Sequence, residues 1–358
     1  MKKALPLILL CALLLSACAS RGTPGVSGKV VELHSGPKGI ESFVMASDGQ
    51  LLGGQLLGVT LTDSTYVLSW LDELSKEDFL SGSAPDVAVT VYFDGPKSRI
   101  VTGSGEEIES QEAEAVYLTG FLKPAATVLA DGTELDVWQY EHATAYAAAD
   151  GTEVLRVSEP SGPADTYYSG LSLSDLGEAA QENIAAWFEA RGVLYDEQAE
   201  LERAYAAWSE SEDASDFQTW GLSQRIVPTA MSERVIYFLT TVDRPVGNFV
   251  MEQQRIGTAF DRETGEYIDN SELFSCPPGE LASRIMELSQ MSDSELTAQA
   301  EAAFSPERAV LFEDHMEINY ERGALPAEEN SFTIVLDLDE DVKALLHPWA
   351  VPQETPEE

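Results

Sequence analysis

Cys18 is the residue whose surroundings commit it most clearly to chemistry. It follows an aliphatic residue and two small ones, Leu15-Ser16-Ala17. A thiol can form a thioether with a lipid, and small flanking residues let a peptidase reach the preceding bond. Cys11 follows Leu10 and lacks those flanks. Cys276 stands before Pro277-Pro278 with no His or Lys nearby to lower its pKa, so it reads as a small packed hydrophobe. His34, His142, His315 and His347 are scattered, with no pair at i, i+4 to place two imidazoles on one helix face. No His-Glu-x-x-His, Gly-x-Ser-x-Gly or Gly-Lys-Ser/Thr phosphate loop occurs. Ser35-Gly36-Pro37-Lys38 satisfies Ser-x-x-Lys in letters, but Gly36-Pro37 break the helix that would bring lysine to serine. Asp337, Asp339 and Asp341 read either as a weak calcium site or as the solvated end of a strand, and no Gly-centred loop or closing Glu is spaced as a calcium loop requires. With 62 Asp and Glu, acid pairs arise everywhere by chance, so none argues for a glycosidase. The expectation is a protein that is not an enzyme and needs no metal or cofactor.

Met1-Lys2-Lys3 followed by the apolar stretch Leu5 to Leu15 reads as a secretory signal, too short to cross a membrane. Together with Cys18 this segment resembles the lipobox region of bacterial lipoproteins. The resemblance implies a signal peptide over 1–17 and a diacylglyceryl group on Cys18, with fatty-acyl chains such as palmitate as a membrane anchor. Two chains hold stably where one holds only marginally. The implied location is the extracytoplasmic face of the cell membrane, on a Gram-positive surface. Residues 18–26, with Gly22, Pro24 and Gly25, read as a tether. Residues 350–358, with Pro352, Pro356 and three Glu, read as a solvated acidic tail.

The whole chain has 358 residues, enough for two domains, and a formal charge of −41 from 62 acidic and 21 Lys+Arg residues. That charge repels phosphate backbones and anionic lipid, which excludes a nucleic-acid binder and a basic membrane-docking patch.

Hydropathy patterning predicts an all-β domain over 27–123, with short strands around Val30, Phe43, Leu57 to Leu61 and Tyr66, the run Val87 to Phe93, and Val116 to Leu122. A helix-like insert at Ser75 to Leu80 completes the pattern of a small OB-like barrel. This order resembles the OB-like domains of Gram-positive exported lipoproteins. In such a barrel the face of strands two and three carries ligands, and Phe43, Tyr66 and Trp70 are read there either as core or as ligand-facing rings. Residues 124–349 read as an α+β domain, with helices packed on a mostly antiparallel sheet. Asp131-Gly132 and Asp150-Gly151 mark tight turns. Leu176, Ala180, Ile184, Trp187 and Phe188 share a helix face, Asp196 caps a second helix, and Ser292 with Glu295 has capping-box spacing.

Ala259-Phe260-Asp261-Arg262-Glu263-Thr264-Gly265-Glu266 and Ser271-Glu272-Leu273-Phe274, followed by Ile318 to Gly323 and Phe332 to Val335, resemble the signature of RsiV-like extracellular domains. That resemblance covers about 200 residues. It implies an extracytoplasmic binding domain of a family that occurs in lysozyme-sensing anti-sigma factors, beside peptidoglycan deacetylase domains and in lipoproteins. It does not imply catalysis. This chain lacks the transmembrane helix and sigma-binding segment, so an anti-sigma role does not carry over. Asp261, Thr264, Gly265 and Tyr320 fall on the family's motif positions and join Tyr66 and Trp70 as candidate ligand-facing residues. The Asp261–Gly265 turn reads equally as a plain hairpin in which Gly265 supplies a positive φ. The expected function is a lipid-anchored binding protein for cell-wall material or for a cationic protein such as lysozyme. A structural partner in an envelope complex is the alternative, and a wall-modifying enzyme is a third.

Overall fold

The computed structural model describes residues 25–37, 39–47, 55–84, 86–163, 171–211, 217–247 and 250–353. Cys18, the signal segment, most of the tether, Lys38 and the last five residues lie outside these. Among the described residues no helix is long and apolar enough to cross a membrane. In sequence the chain divides at Gly151/Thr152 into two compact units, where hydropathy patterning put the boundary at 123/124.

The first unit is built from β1 (Val26–Gly36), β2 (Gly39–Ser47), β3 (Leu56–Thr60), β4 (Tyr66–Ser69), α1 (Lys76–Ser81), β5 (Val87–Val101), β6 (Glu107–Leu122), β7 (Thr127–Val128), β8 (Glu134–Tyr140) and β9 (Ala143–Ala147). β1 lies antiparallel between β2 and β5, and β2 pairs antiparallel with β3. β6 is antiparallel to β5 but parallel to both β3 and β4. Alternating side chains bury Phe43, Met45, Val59, Val89, Val91, Val116 and Leu118 in one core. α1 is capped by Ser75, whose side chain accepts from Asp78 N–H, and its Phe79 meets Phe43 edge-on at 5.7 Å.

The expected fold class, a small OB-like barrel followed by a separate α+β domain, does not hold. Among the described residues fourteen strands belong to one mixed sheet, and three form a second sheet. The physical reason is visible in β6. It is 16 residues long, and a strand of that length takes different partners along its two edges. Its Gly120–Leu122 end pairs with Trp138–Tyr140 of β8, so the strand expected to close a small barrel carries the sheet onward to β8 and β9.

The second unit holds β10 (Glu153–Ser158), α2 (Glu178–Arg191), α3 (Glu197–Ser209), β11 (Trp220–Met231), β12 (Val235–Gly247), β13 (Val250–Asp261), β14 (Tyr267–Ile268), α4 (Pro278–Ser289), α5 (Ser294–Ala302), β15 (Ala309–Leu311), β16 (His315–Tyr320), β17 (Phe332–Asp337) and α6 (Glu340–Lys343). β10 pairs parallel with β11, after which β11 to β14 run as an antiparallel meander. β15, β16 and β17 make the three-stranded antiparallel sheet.

β12 is buried on both faces from Val235 to Val242, which is why that stretch reads as a long apolar strand, whereas β13 is buried only over 258–260. Ile236, Phe238 and Phe260 face Ala180, Ile184 and Phe188 of α2. Val235, Tyr237 and Ala259 pack in a second cluster with Leu281 and Ile285 of α4 and with Met316, Ile318 and Ile334. Asp196 caps α3 as expected, accepting from Ala199 N–H. The N-terminus of α5 differs from the expected Ser292 box: Asp293 is the cap and accepts from both Glu295 and Leu296 N–H. Ala350 to Gln353, read as the start of a free tail, are tied down. Ala350 is fully buried and accepts a hydrogen bond from the Tyr237 hydroxyl, and Gln353 N–H bonds Met231 C=O.

Candidate functional site

Cationic side chains are scarce in this chain, so a place where three of them converge stands out. Arg191 ends α2, Arg255 lies midway along β13, and Arg308 follows α5 in the turn before β15. All three line one cleft of the second unit, about 260 Å³, with Glu307, Glu321 and Tyr320 among its other walls. A wider cavity of about 510 Å³ adjoins it and shares Arg191, Ile256 and Glu307.

Close packing of β13 sets this geometry. Gly257 lies so near the Ala309 carbonyl that a Cβ there would stand 2.1 Å from its oxygen. β15, the turn before it and the Arg308 side chain are therefore drawn against β13. Tyr320 lies beneath the guanidinium of Arg308, 5.3 Å from ring to Cζ.

The three arginines are not equivalent. Arg255 forms a two-pronged pair with Glu317, Nε to Oε2 at 2.8 Å and Nη2 to Oε1 at 3.0 Å, so its charge is matched. Arg308 donates to the carbonyls of Ala303 and Asn319, and its Nη2 lies 3.9 Å from Glu321 Oε1. The Arg191 side chain has neither a hydrogen bond nor an ion pair among the described residues. Its guanidinium sits 5.1 Å from the Trp187 ring, one helical turn back. Burial pulls its pKa below the usual arginine value, while Tyr267 and Glu307 push it back up. It remains fully charged near neutrality, because an arginine starts more than five units above that pH. The cleft thus offers a partly desolvated cation that Glu307 stabilises only from beyond ion-pair distance, and such a group attracts a carboxylate or another anion.

The residues singled out from sequence are placed as follows. Tyr66 and Trp70 lie in the first unit and are 58% and 46% exposed, whereas Phe43 is buried. Trp70 leans on Tyr117 at 5.1 Å, and Tyr117 meets Tyr92 edge-on. Asp261, Thr264 and Gly265 share one turn that is locked to α2. Asp261 Oδ1 accepts from Glu263 and Thr264 N–H, its Oδ2 accepts from Arg234 Nε at 2.9 Å, and Asn183 Nδ2 donates to Thr264 C=O. Tyr320 is 1% exposed, and its hydroxyl is used on Ala300 C=O. Burial pushes that hydroxyl's pKa up to about 12. Asp339 caps α6, accepting from Asp341 and Val342 N–H. Burial raises the Cys276 thiol pKa, with Glu280 adding to it. Arg191, Arg255 and Arg308 were not singled out from sequence. Trp187 and Arg191 at i, i+4 in so acidic a chain were the one available signal.

Asp261 also links the turn to pH. Burial alone would raise its carboxyl pKa, but the bonds from Arg234, Thr264 and Glu263 carry it below the ordinary value. The contribution is therefore complete above the unfolded pKa of about 3.9 and is lost as pH falls through the lower folded value. Asp261→Asn is expected to destabilise the chain near neutral pH and to converge on the parent in strong acid. Urea titrations at both ends of that range would show it, and a constant difference would refute the link.

No family model matches this chain, and neither does any curated protein. Among solved structures it is similar to a DUF3298 family protein from Pseudomonas aeruginosa PAO1. Identity is 12%, the match covers 72% of this chain and 97% of that one, and the TM-score is 0.29. A member of the same family from Bacteroides fragilis NCTC 9343 shows 11% identity over 64% of this chain and 92% of that one, with a TM-score of 0.33. A likeness at this level carries no argument about function.

Proposed function

We propose that this chain is an extracytoplasmic binding protein, held at the membrane by lipid on Cys18, whose second unit takes an anionic ligand from cell-wall material. The observation that carries this reading is the unpaired Arg191 guanidinium, in a cleft shared with Arg255 and Arg308. A chain with 62 carboxylates has many acids available to neutralise a structural arginine. Leaving one partly buried, with no carboxylate within ion-pair distance among the described residues, leaves it open to an anion that a ligand supplies. The formal charge of −41 favours a second reading, attraction of a cationic protein to the outer surface, but that interaction would not need this cleft.

Calorimetric titration of the full chain with carboxylated wall fragments tests the proposal. Arg191→Gln is expected to weaken binding by about ten-fold or more, the usual loss for a charge-assisted hydrogen bond. Lys97→Gln, which removes an exposed pair with Glu109, is expected to leave it unchanged. Equal affinity in the parent and the Arg191 variant would sink the assignment.

A further inference from the structure

We infer, resting on the reading just proposed, that the ligand is an acidic saccharide: a pyranose ring seated against Tyr267, with its carboxylate on Arg191. The cavity adjoining the arginine cleft has the volume of an ordinary small-molecule site. Its aromatic wall is Tyr267, 43% exposed, stacked on Trp187 at 5.2 Å and 11°. A flat ring backed by a second ring is a rigid apolar surface suited to the C–H face of a sugar.

The polar atoms of the cavity point the same way. Asn270 is 3% exposed, and its Nδ2 is surrounded by the carbonyls of Gly257, Pro306 and Ala309, at 3.3, 3.4 and 3.4 Å. Those three acceptors fix the amide orientation and leave Oδ1 as an acceptor without a partner. Thr258, 5% exposed, also lines the cavity, and its Oγ1 is likewise unpartnered. Buried polar atoms without partners call for an explanation. Oδ1 needs a donor, such as a hydroxyl or amide N–H, and a carboxylate cannot supply one. Both atoms are covered, so a ligand hydroxyl would reach them through one bridging water or a small side-chain rotation.

A simple anion would satisfy Arg191 and leave the ring and these acceptors unused. A neutral sugar would use the ring and leave Arg191 unmatched. A polyphosphate would bring several negative charges against Glu307 and Glu321, where a sugar acid brings one. Only a ligand combining a carboxylate, hydroxyls and an apolar ring face matches the whole set.

The test uses the full chain and three probes: N-acetylmuramic acid, N-acetylglucosamine and lactate, which are the acidic sugar, the ring without the acid and the acid without the ring. Affinities are read by calorimetry and contacts by saturation-transfer NMR. N-acetylmuramic acid is expected to bind at least about ten-fold tighter than either fragment. Tyr267→Ala is expected to cost about five-fold for the sugar acid and nothing for lactate, while Tyr267→Phe retains binding. Circular dichroism of each variant reports folding. If lactate binds as well as the sugar acid and ignores Tyr267→Ala, the saccharide inference falls and the anion reading stands. If N-acetylglucosamine matches N-acetylmuramic acid, the sugar remains but the role of Arg191 falls. Binding of none of the three overturns both.

Discussion

Phe260→Ala is expected to destabilise the chain by about 3–5 kcal/mol, the usual cost of emptying a fully buried aromatic position. Phe260 is fully buried and touches four rings: Trp187, Phe188, Phe238 and Tyr267, at 5.2, 5.4, 5.7 and 5.9 Å. It is the common floor of the α2 interface and of the Trp187–Tyr267 wall. A denaturant midpoint shifted at constant slope would report the loss. Ligand binding should weaken in the same variant, because the wall loses its support while the Arg255–Glu317 pair is untouched. Tyr66→Ala, at an exposed position, is expected to stay within about 0.5 kcal/mol. A Phe260 loss below about 1 kcal/mol would show that the ring cluster does not anchor α2.

Gly265→Ala is the second substitution with a large expected effect, about 3 kcal/mol or more. Two costs coincide there. The backbone has φ +72°, which disfavours any side chain, and a Cβ would stand 2.4 Å from Ala180 C=O and 2.8 Å from its Cα. Backbone atoms of α2 cannot move aside as a flexible side chain would. Gly132 and Gly151 separate the two costs, since their φ values are +89° and +88° and nothing lies within 4 Å of an added Cβ. Their alanine variants are expected to lose only about 1 kcal/mol. Thermal melts of the three variants would check the ranking, and equal losses would mean that contact with α2 adds nothing.

Local features of this fold were legible in the sequence, and pairings were not. Asp196 before α3, the apolar face of α2 and the Asp261–Gly265 turn are signals within a few residues of one another, and each forms as read. β5 and β8 meet β6 through nearby turns, but β3 and β4 come from far earlier in the chain, and no periodicity encodes that they lie parallel to it. The same limit hid the cleft. Arg191, Arg255 and Arg308 lie far apart in sequence and carry no motif that joins them. They become a site only when Gly257 brings β13 against Ala309 and α2 settles over Phe260.

The parallel pairing of β10 with β11 bears on how this protein comes to be folded. The connection between them runs from residue 159 to 219 and includes α2 and α3, so it must be closed before that pair can form. Closing a long loop ahead of its stabilising contacts slows folding. Until α2 docks, Ile226, Ile236, Phe238 and Phe260 have no cover, and a half-assembled chain presents an apolar strand surface open to other chains. Refolding should therefore show a slow, concentration-sensitive phase, with competence to bind ligand gained only in that last step.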